Sequence, residues 1–165
     1  MASDLDEPAF LDRLWPLLPT GQRLAFGMLQ NVHEAQDALQ DATLKCWRFR
    51  SRVREGADLQ PWFLAIVANE CRQRLRSRWW SVRKTHDLSS PASLPPGADE
   101  ASLDLRAALA RLPTDMRLVL VLRYYLDMAF DDIGRVLHCS RQAAKSRTFR
   151  ALERLRTEVP QELDE

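Results

Sequence analysis

Between Asp87 and Ala98, twelve residues in a row include three serines, three prolines and one glycine. No regular element can pass through such a stretch. Each proline removes a backbone donor, fixes φ and pushes the residue before it out of the helical region. The stretch reads as a flexible linker, extended by its prolines. A chain of 165 residues has room for one ordinary domain or two small ones, and this break selects two.

On both sides of the break the pattern is helical, rich in Leu, Ala, Arg and Gln with few β-branched clusters. The one β-like run, Leu118 to Leu122, lies inside a longer periodic segment and reads as buried helix. The expected fold is therefore all-α, two small helical domains spanning 5–80 and 103–157 with 81–102 as linker. Helices are expected near 7–18, 21–30, 33–50 and 60–79, then 103–111, 114–126, 129–137 and 140–157. In the third, Ala35, Leu39, Ala42 and Cys46 form an inward stripe; in the fourth, Leu64, Val67, Cys71 and Leu75 do so. Fully extended, residues 87–102 reach about 54 Å at most, so the two domains are expected at a broad range of separations.

Charge is arranged in blocks. Residues 48–84 hold ten basic and three acidic side chains, and 135–156 hold seven and one. The flanking segments 1–47, 85–134 and 157–165 are each net −4. Two basic blocks separated by acidic ones suggest two polyanion-binding surfaces. Within the first block, Asn69, Arg72 and Arg76 share one helix face at spacings of three and four. On the preceding helix, Asp37, Gln40, Asp41 and Leu44 share a face outside the apolar stripe, which suits docking onto basic residues better than paired acid catalysis.

The second half carries a helix-turn-helix pattern. A short helix ending in Ile133, Val136 and Leu137 is followed by His138-Cys139-Ser140 and then a longer basic helix. His138 occupies the left-handed turn position where Gly is usual, and Ser140 can cap the helix that follows. On that helix Ala144, Thr148, Ala151 and Leu155 point inward. Arg141, Gln142, Lys145, Ser146 and Phe149 form the opposite face, and Arg and Gln can address guanine and adenine edges bidentately. Trp79 and Trp80 could stack on unpaired bases, but they read better as a cover over the domain's apolar end.

Several classes are disfavoured. No run of eighteen apolar residues suggests a membrane helix, and the N-terminal residues are acidic where a signal peptide would be basic and then apolar. Cys46, Cys71 and Cys139 are too few and scattered for a disulfide scaffold or a structural zinc site. Five glycines without G-x-G-x-x-G or G-x-x-x-x-G-K disfavour nucleotide binding. The expectation is a cytoplasmic protein with no cofactor, no metal and no enzymatic activity of its own.

Four segments together resemble the sigma-70 family of bacterial initiation factors, specifically its extracytoplasmic-function (ECF) group. Ala35 to Trp47 resembles the A-x-D-x-x-Q-x-x-x-x-x-x-W segment of region 2, and Pro61 to Asn69 resembles its P-W-L-x-x-I-A-x-N signature. Leu109-Ala110-Arg111-Leu112-Pro113 resembles the entry into region 4. Phe130 to Leu137, with Lys145-Ser146-Arg147 and Arg150-Ala151, resembles its helix-turn-helix. The family also shows departures here: Gln73 stands where an Asp is usual, and Ala143-Ala144 where Thr-Val is.

The resemblance implies an RNA polymerase sigma factor acting at a subset of promoters. It implies docking on the polymerase core, at the β′ clamp helices through Asp37, Gln40, Asp41 and Leu44 and at the β flap. It implies that Asn69, Arg72 and Arg76, with the Arg48–Arg54 loop, hold the opened −10 strand. Arg141, Gln142, Lys145, Ser146 and Arg147 would contact the −35 duplex. An anti-sigma protein is a further implied partner. The competing reading is a helix-turn-helix repressor or activator with a partner-binding N-terminal domain.

Overall fold

The computed structural model describes residues 7–85 and 99–159, and every regular element among them is helical. The first half contains α1 (Glu7–Leu14), a 3-10 turn (Trp15–Leu17), α2 (Leu18–Leu29), α3 (Val32–Arg48), a second 3-10 turn (Arg50–Arg52) and α4 (Leu59–Thr85). The second half contains α5 (Glu100–Arg111), α6 (Thr114–Leu120), a π-helical turn (Val121–Tyr125), α7 (Phe130–Leu137) and α8 (Arg141–Glu158). The Ser/Pro stretch lies outside the described residues.

Local chemistry explains most boundaries. The single helix expected over 7–18 is interrupted because Pro16 and Pro19 sit in the first turns of new elements, the place where a missing N–H is tolerated. Gln30 ends α2 in the left-handed conformation, and Asn31 caps α3 by accepting a hydrogen bond from the Glu34 amide at 3.0 Å. Helix α4 runs to Thr85, past the expected end at 79, because no Gly or Pro stands between Pro61 and Pro91. Asp99 caps α5 at Ser102, whose hydroxyl and amide hydrogen bonds hold that exposed carboxyl below the usual carboxylate range. The helix expected over 114–126 is α-helical only to Leu120. It then widens, with Leu126 N–H bonding the Val121 carbonyl at 3.0 Å.

The turn between α7 and α8 forms as its residues require. His138 adopts φ 54° and ψ 44°, and the Ser140 hydroxyl accepts from the Ala143 amide at 3.1 Å. Gly134 makes the turn possible by its lack of a side chain. A Cβ there would stand 2.6 Å from the Cys139 carbonyl oxygen, which is backbone and cannot yield. Gly134→Ala should therefore destabilise the protein by about 1–3 kcal/mol, although alanine is the better helix former. Thermal unfolding checks this, and a melting point at or above the parent's would contradict it.

The inward stripes are largely as the periodicity predicts. Ala35, Ala42, Cys46, Leu64, Val67 and Cys71 are buried, while Leu39 and Leu75 are half-buried beside them. Phe10 of α1 closes this bundle, its ring 6.2 Å from Trp47 and 6.4 Å, edge-on, from Trp62. Ala144, Thr148 and Ala151 seat α8 in the second half. Trp79 differs from expectation: it is 55% exposed and covers little of the apolar end.

The halves are not held at a range of distances. Helix α2 packs on α6 and the π turn, α7 lies along α4, and one apolar core runs through both. The anchor is Arg117, 8% exposed. Its guanidinium donates to the Leu109 and Ala110 carbonyls at the end of α5 (2.9 and 2.8 Å) and to the Met28 carbonyl near the end of α2 (2.8 Å). One cation thus serves the negative ends of two helix dipoles, one from each half. Burial, with Arg78 nearby, lowers its pKa from the usual arginine value.

Candidate docking and nucleic-acid surfaces

The four arginines at 72, 74, 76 and 78 divide into two pairs, each four residues apart on α4. Arg74 and Arg78 face α3. Arg74 meets Asp41 at 2.5 Å, and Arg78 pairs with Glu34 and donates to the Leu29 carbonyl at 3.2 Å. Lys45 and the buried Glu70 add a further tie between the same helices. Asn69 and Arg76 are exposed on the other face. Arg72, half-buried there, bonds the Asn69 side-chain oxygen at 3.2 Å. The structure therefore brings Asn69, Arg72 and Arg76 together as one outward group, as their spacing predicts.

On α3, Asp37 and Gln40 are exposed and Leu44 is 57% exposed. Asp41 is half-buried and engaged with Arg74, so it differs from its neighbours: part of its charge already serves the bundle. The basic loop after α3 carries its own packing. Arg50 stacks over Trp47 at 4.2 Å from the ring centroid, donates to the Trp47 carbonyl at 2.9 Å and pairs with Glu7 at 3.3 Å. Arg52 stacks over Phe49 at 4.5 Å, while Arg48 and Arg54 are exposed. Gly56, at φ 76°, turns the chain back toward α4.

The α8 face is open. Arg141, Gln142, Lys145 and Arg147 are exposed, Ser146 is half-buried, and Lys145 reaches toward the Phe149 ring at 6.0 Å. Beyond the face, Glu158 closes the helix by pairing with Arg111 at 3.1 Å and Arg154 at 3.6 Å. The thiols of Cys46 and Cys71 are pushed up to about 12 by burial, so both persist as small apolar groups. Among the described residues, no three or more His, Cys, Asp or Glu side chains are grouped to hold a metal ion. No described helix is long and apolar enough to cross a membrane.

An acidic-rimmed helix, an outward basic helix and an exposed helix-turn-helix face thus share one chain. Residues 16–81 match the family described as Sigma-70 region 2, and residues 102–155 match Sigma-70, region 4. The sequence is 32% identical over 154 residues to the RNA polymerase sigma factor CarQ of Myxococcus xanthus, covering 91% of this chain and 88% of that one. It is 33% identical over 138 residues to the ECF RNA polymerase sigma factor SigM of Mycobacterium tuberculosis, covering 81% and 68%. Among solved structures, the sigma factor RpoE of Bartonella quintana, crystallised with the anti-sigma factor NepR, superposes with a TM-score of 0.73 at 26% identity. That match covers 94% of this chain and 98% of RpoE.

The chain belongs to the ECF group of the sigma-70 family. It is an alternative RNA polymerase sigma factor. The match to region 2 removes the repressor reading, which leaves the first half without that identity.

The site residues absent from the sequence reading are tertiary ones. Arg117 looked like one of four basic residues in an acidic segment. Asp115, which meets Arg72 at 2.9 Å, looked like a first-turn helix residue. No local pattern marks either.

Proposed function

We propose that this sigma factor divides its work among three surfaces. Residues 5–80 form the core-docking and −10 module, 81–102 the connection, and 103–157 the −35 module. Asp37, Gln40 and Leu44, with Asp41 beside them, dock on the β′ clamp helices of core polymerase, and the second module meets the β flap. Asn69, Arg72 and Arg76, with the loop Arg48–Arg54, hold the opened −10 strand. Arg141 and Gln142 read the −35 duplex, while Lys145, Ser146 and Arg147 grip its backbone.

The observation that supports this reading best is the division of the α4 arginines. Two are committed to α3, while two stand outward beside an amide, as strand binding requires. Catalysis belongs to the polymerase; no cofactor or metal takes part. The protein works in the cytoplasm, where polymerase and DNA are, on a stress- or signal-responsive set of promoters. By likeness to the RpoE–NepR pair, an anti-sigma protein is a further partner.

Docking is tested at Asp37, because Asp41 also holds Arg74 and its replacement would disturb the bundle. Asp37→Arg places like charge against a basic partner and should weaken core binding roughly tenfold. Stability should stay within about 0.5 kcal/mol of the parent. A pull-down titration in which core affinity is unchanged would remove Asp37 from the docking surface.

A further inference from the structure

The two DNA-facing surfaces are unequally available. The α8 face is open, whereas the second module lies against the outward face of α4. Asp115 at the start of α6 takes the Arg72 guanidinium at 2.9 and 3.1 Å, and α7 packs along the same helix. Arg135 of α7 approaches Asp58, just ahead of α4, at 4.0 Å.

On the far side the contact is closer. Arg23 donates to the Tyr125 carbonyl at 2.5 Å and lies over the Tyr125 ring, and Gln30 donates to the Arg106 carbonyl at 3.0 Å. Gly27 sets how near the modules come. A Cβ on it would stand 2.7 Å from Val121 Cγ1 and 3.3 Å from the Tyr125 ring, and Val121 is buried.

We propose that the free chain is self-occluded: its −35 module covers the strand-holding face of α4, and Gly27 is the residue that permits this closure. The inference rests on the assignment of Asn69, Arg72 and Arg76 to strand binding. In the closed chain the Asp115 carboxylate occupies the guanidinium that a strand phosphate would take, and α7 limits approach along α4. The α8 face is untouched, so the free protein can meet duplex DNA but not the opened strand. Binding to core polymerase would have to separate the modules before the strand is held. A strand-competent state populated at only 1–10% lowers apparent strand affinity ten- to a hundredfold.

Gly27→Gln in the full chain tests this. Position 27 is helical, so glutamine favours α2 itself, and its side chain obstructs only the closed arrangement. Small-angle scattering should show an expanded particle relative to the parent. Affinity for a randomised single-stranded 12-mer should rise roughly ten- to a hundredfold, while affinity for a randomised duplex changes less than twofold. Adding Arg72→Ala and Arg76→Ala to the opened chain should cancel the gain.

A Gly27→Gln chain as compact as the parent overturns the closure. An expanded chain with unchanged strand affinity, still lowered by the two alanines, overturns the occlusion alone. If the two alanines have no effect in the opened chain, the strand assignment beneath the proposal fails as well. Should Gly27→Gln not fold, Asp115→Arg supplies the second route. It puts like charge against Arg72 from a side chain that is 83% exposed, and the same outcomes apply.

Discussion

Arg117→Met should lower the stability of the whole chain by roughly 3 kcal/mol or more. The replacement fills similar volume but donates nothing. The carbonyls of Leu109, Ala110 and Met28 lose a donor at 2.8–2.9 Å, and the buried Leu112 carbonyl loses a longer contact at 3.5 Å. Each buried acceptor left unsatisfied costs about 1–3 kcal/mol, and water can enter to relieve some of them. For a chain of this size that corresponds to a fall of about 6–12 °C in melting temperature.

Arg117→Lys keeps the charge but cannot span carbonyls from two helices at once, so it should fall between the parent and Met. Because one bond crosses to α2, the Met variant should also loosen the junction between modules. A scanning-calorimetry melt of the parent and both variants tests this. A Met variant within about 1 kcal/mol of the parent would show that the junction is held elsewhere.

The second large effect belongs to α4. Removing both outward guanidiniums, Arg72→Ala with Arg76→Ala, should reduce promoter opening by core polymerase roughly a hundredfold. A hydrogen bond to a charged group is worth about 1.5–3 kcal/mol, and two lost together reach about 3 kcal/mol. The slope of log affinity for the single strand against log salt should flatten by about 1.4, or 0.7 for each phosphate contact removed. Core binding should not change, since Asp37, Gln40 and Leu44 lie on another helix.

A control separates this face from the structural pair. Arg74→Ala should affect stability first, because Arg74 holds Asp41. Losing Arg72 also frees Asp115 and favours module separation, which works against the defect, so the measured loss is a lower bound. Transcription assays at several salt concentrations give both quantities. Equal losses from Arg74→Ala and the outward pair would mean that α4 has no dedicated strand face.

What could be read from the sequence was whatever neighbouring residues decide among themselves. His138 in the left-handed region, Ser140 as a cap, the break at Pro113 and the inward stripes of α3 and α4 depend on conformational preference and helical period. So does the outward group Asn69, Arg72 and Arg76, since spacing alone puts them on one face. Spacing could not show that Asp41 would be half-buried against Arg74, because that depends on how α3 and α4 pack.

The helix boundaries that shifted did so for local reasons given too little weight: prolines at 16 and 19 restart the chain, and no breaker stops α4 before Pro91. The junction was illegible. Arg117, Gly27 and Asp115 matter through partners 43 to 94 positions away, and a Ser/Pro break argues for separation rather than contact. The widened turn at Val121–Tyr125 likewise has no signature in a periodic apolar run.

The central claim is that two modules of one chain read two elements of one promoter, the strand through α4 and the duplex through α8. Run-off transcription from a genomic fragment library, with core polymerase and this protein, tests it most directly. The account predicts start sites that share two upstream sequence elements at a fixed spacing. Gln142→Ala should relax base preference in the distal element alone, by about 1–3 kcal/mol if its contact is bidentate. Start sites sharing only one element, or a Gln142→Ala change that alters neither, would contradict it.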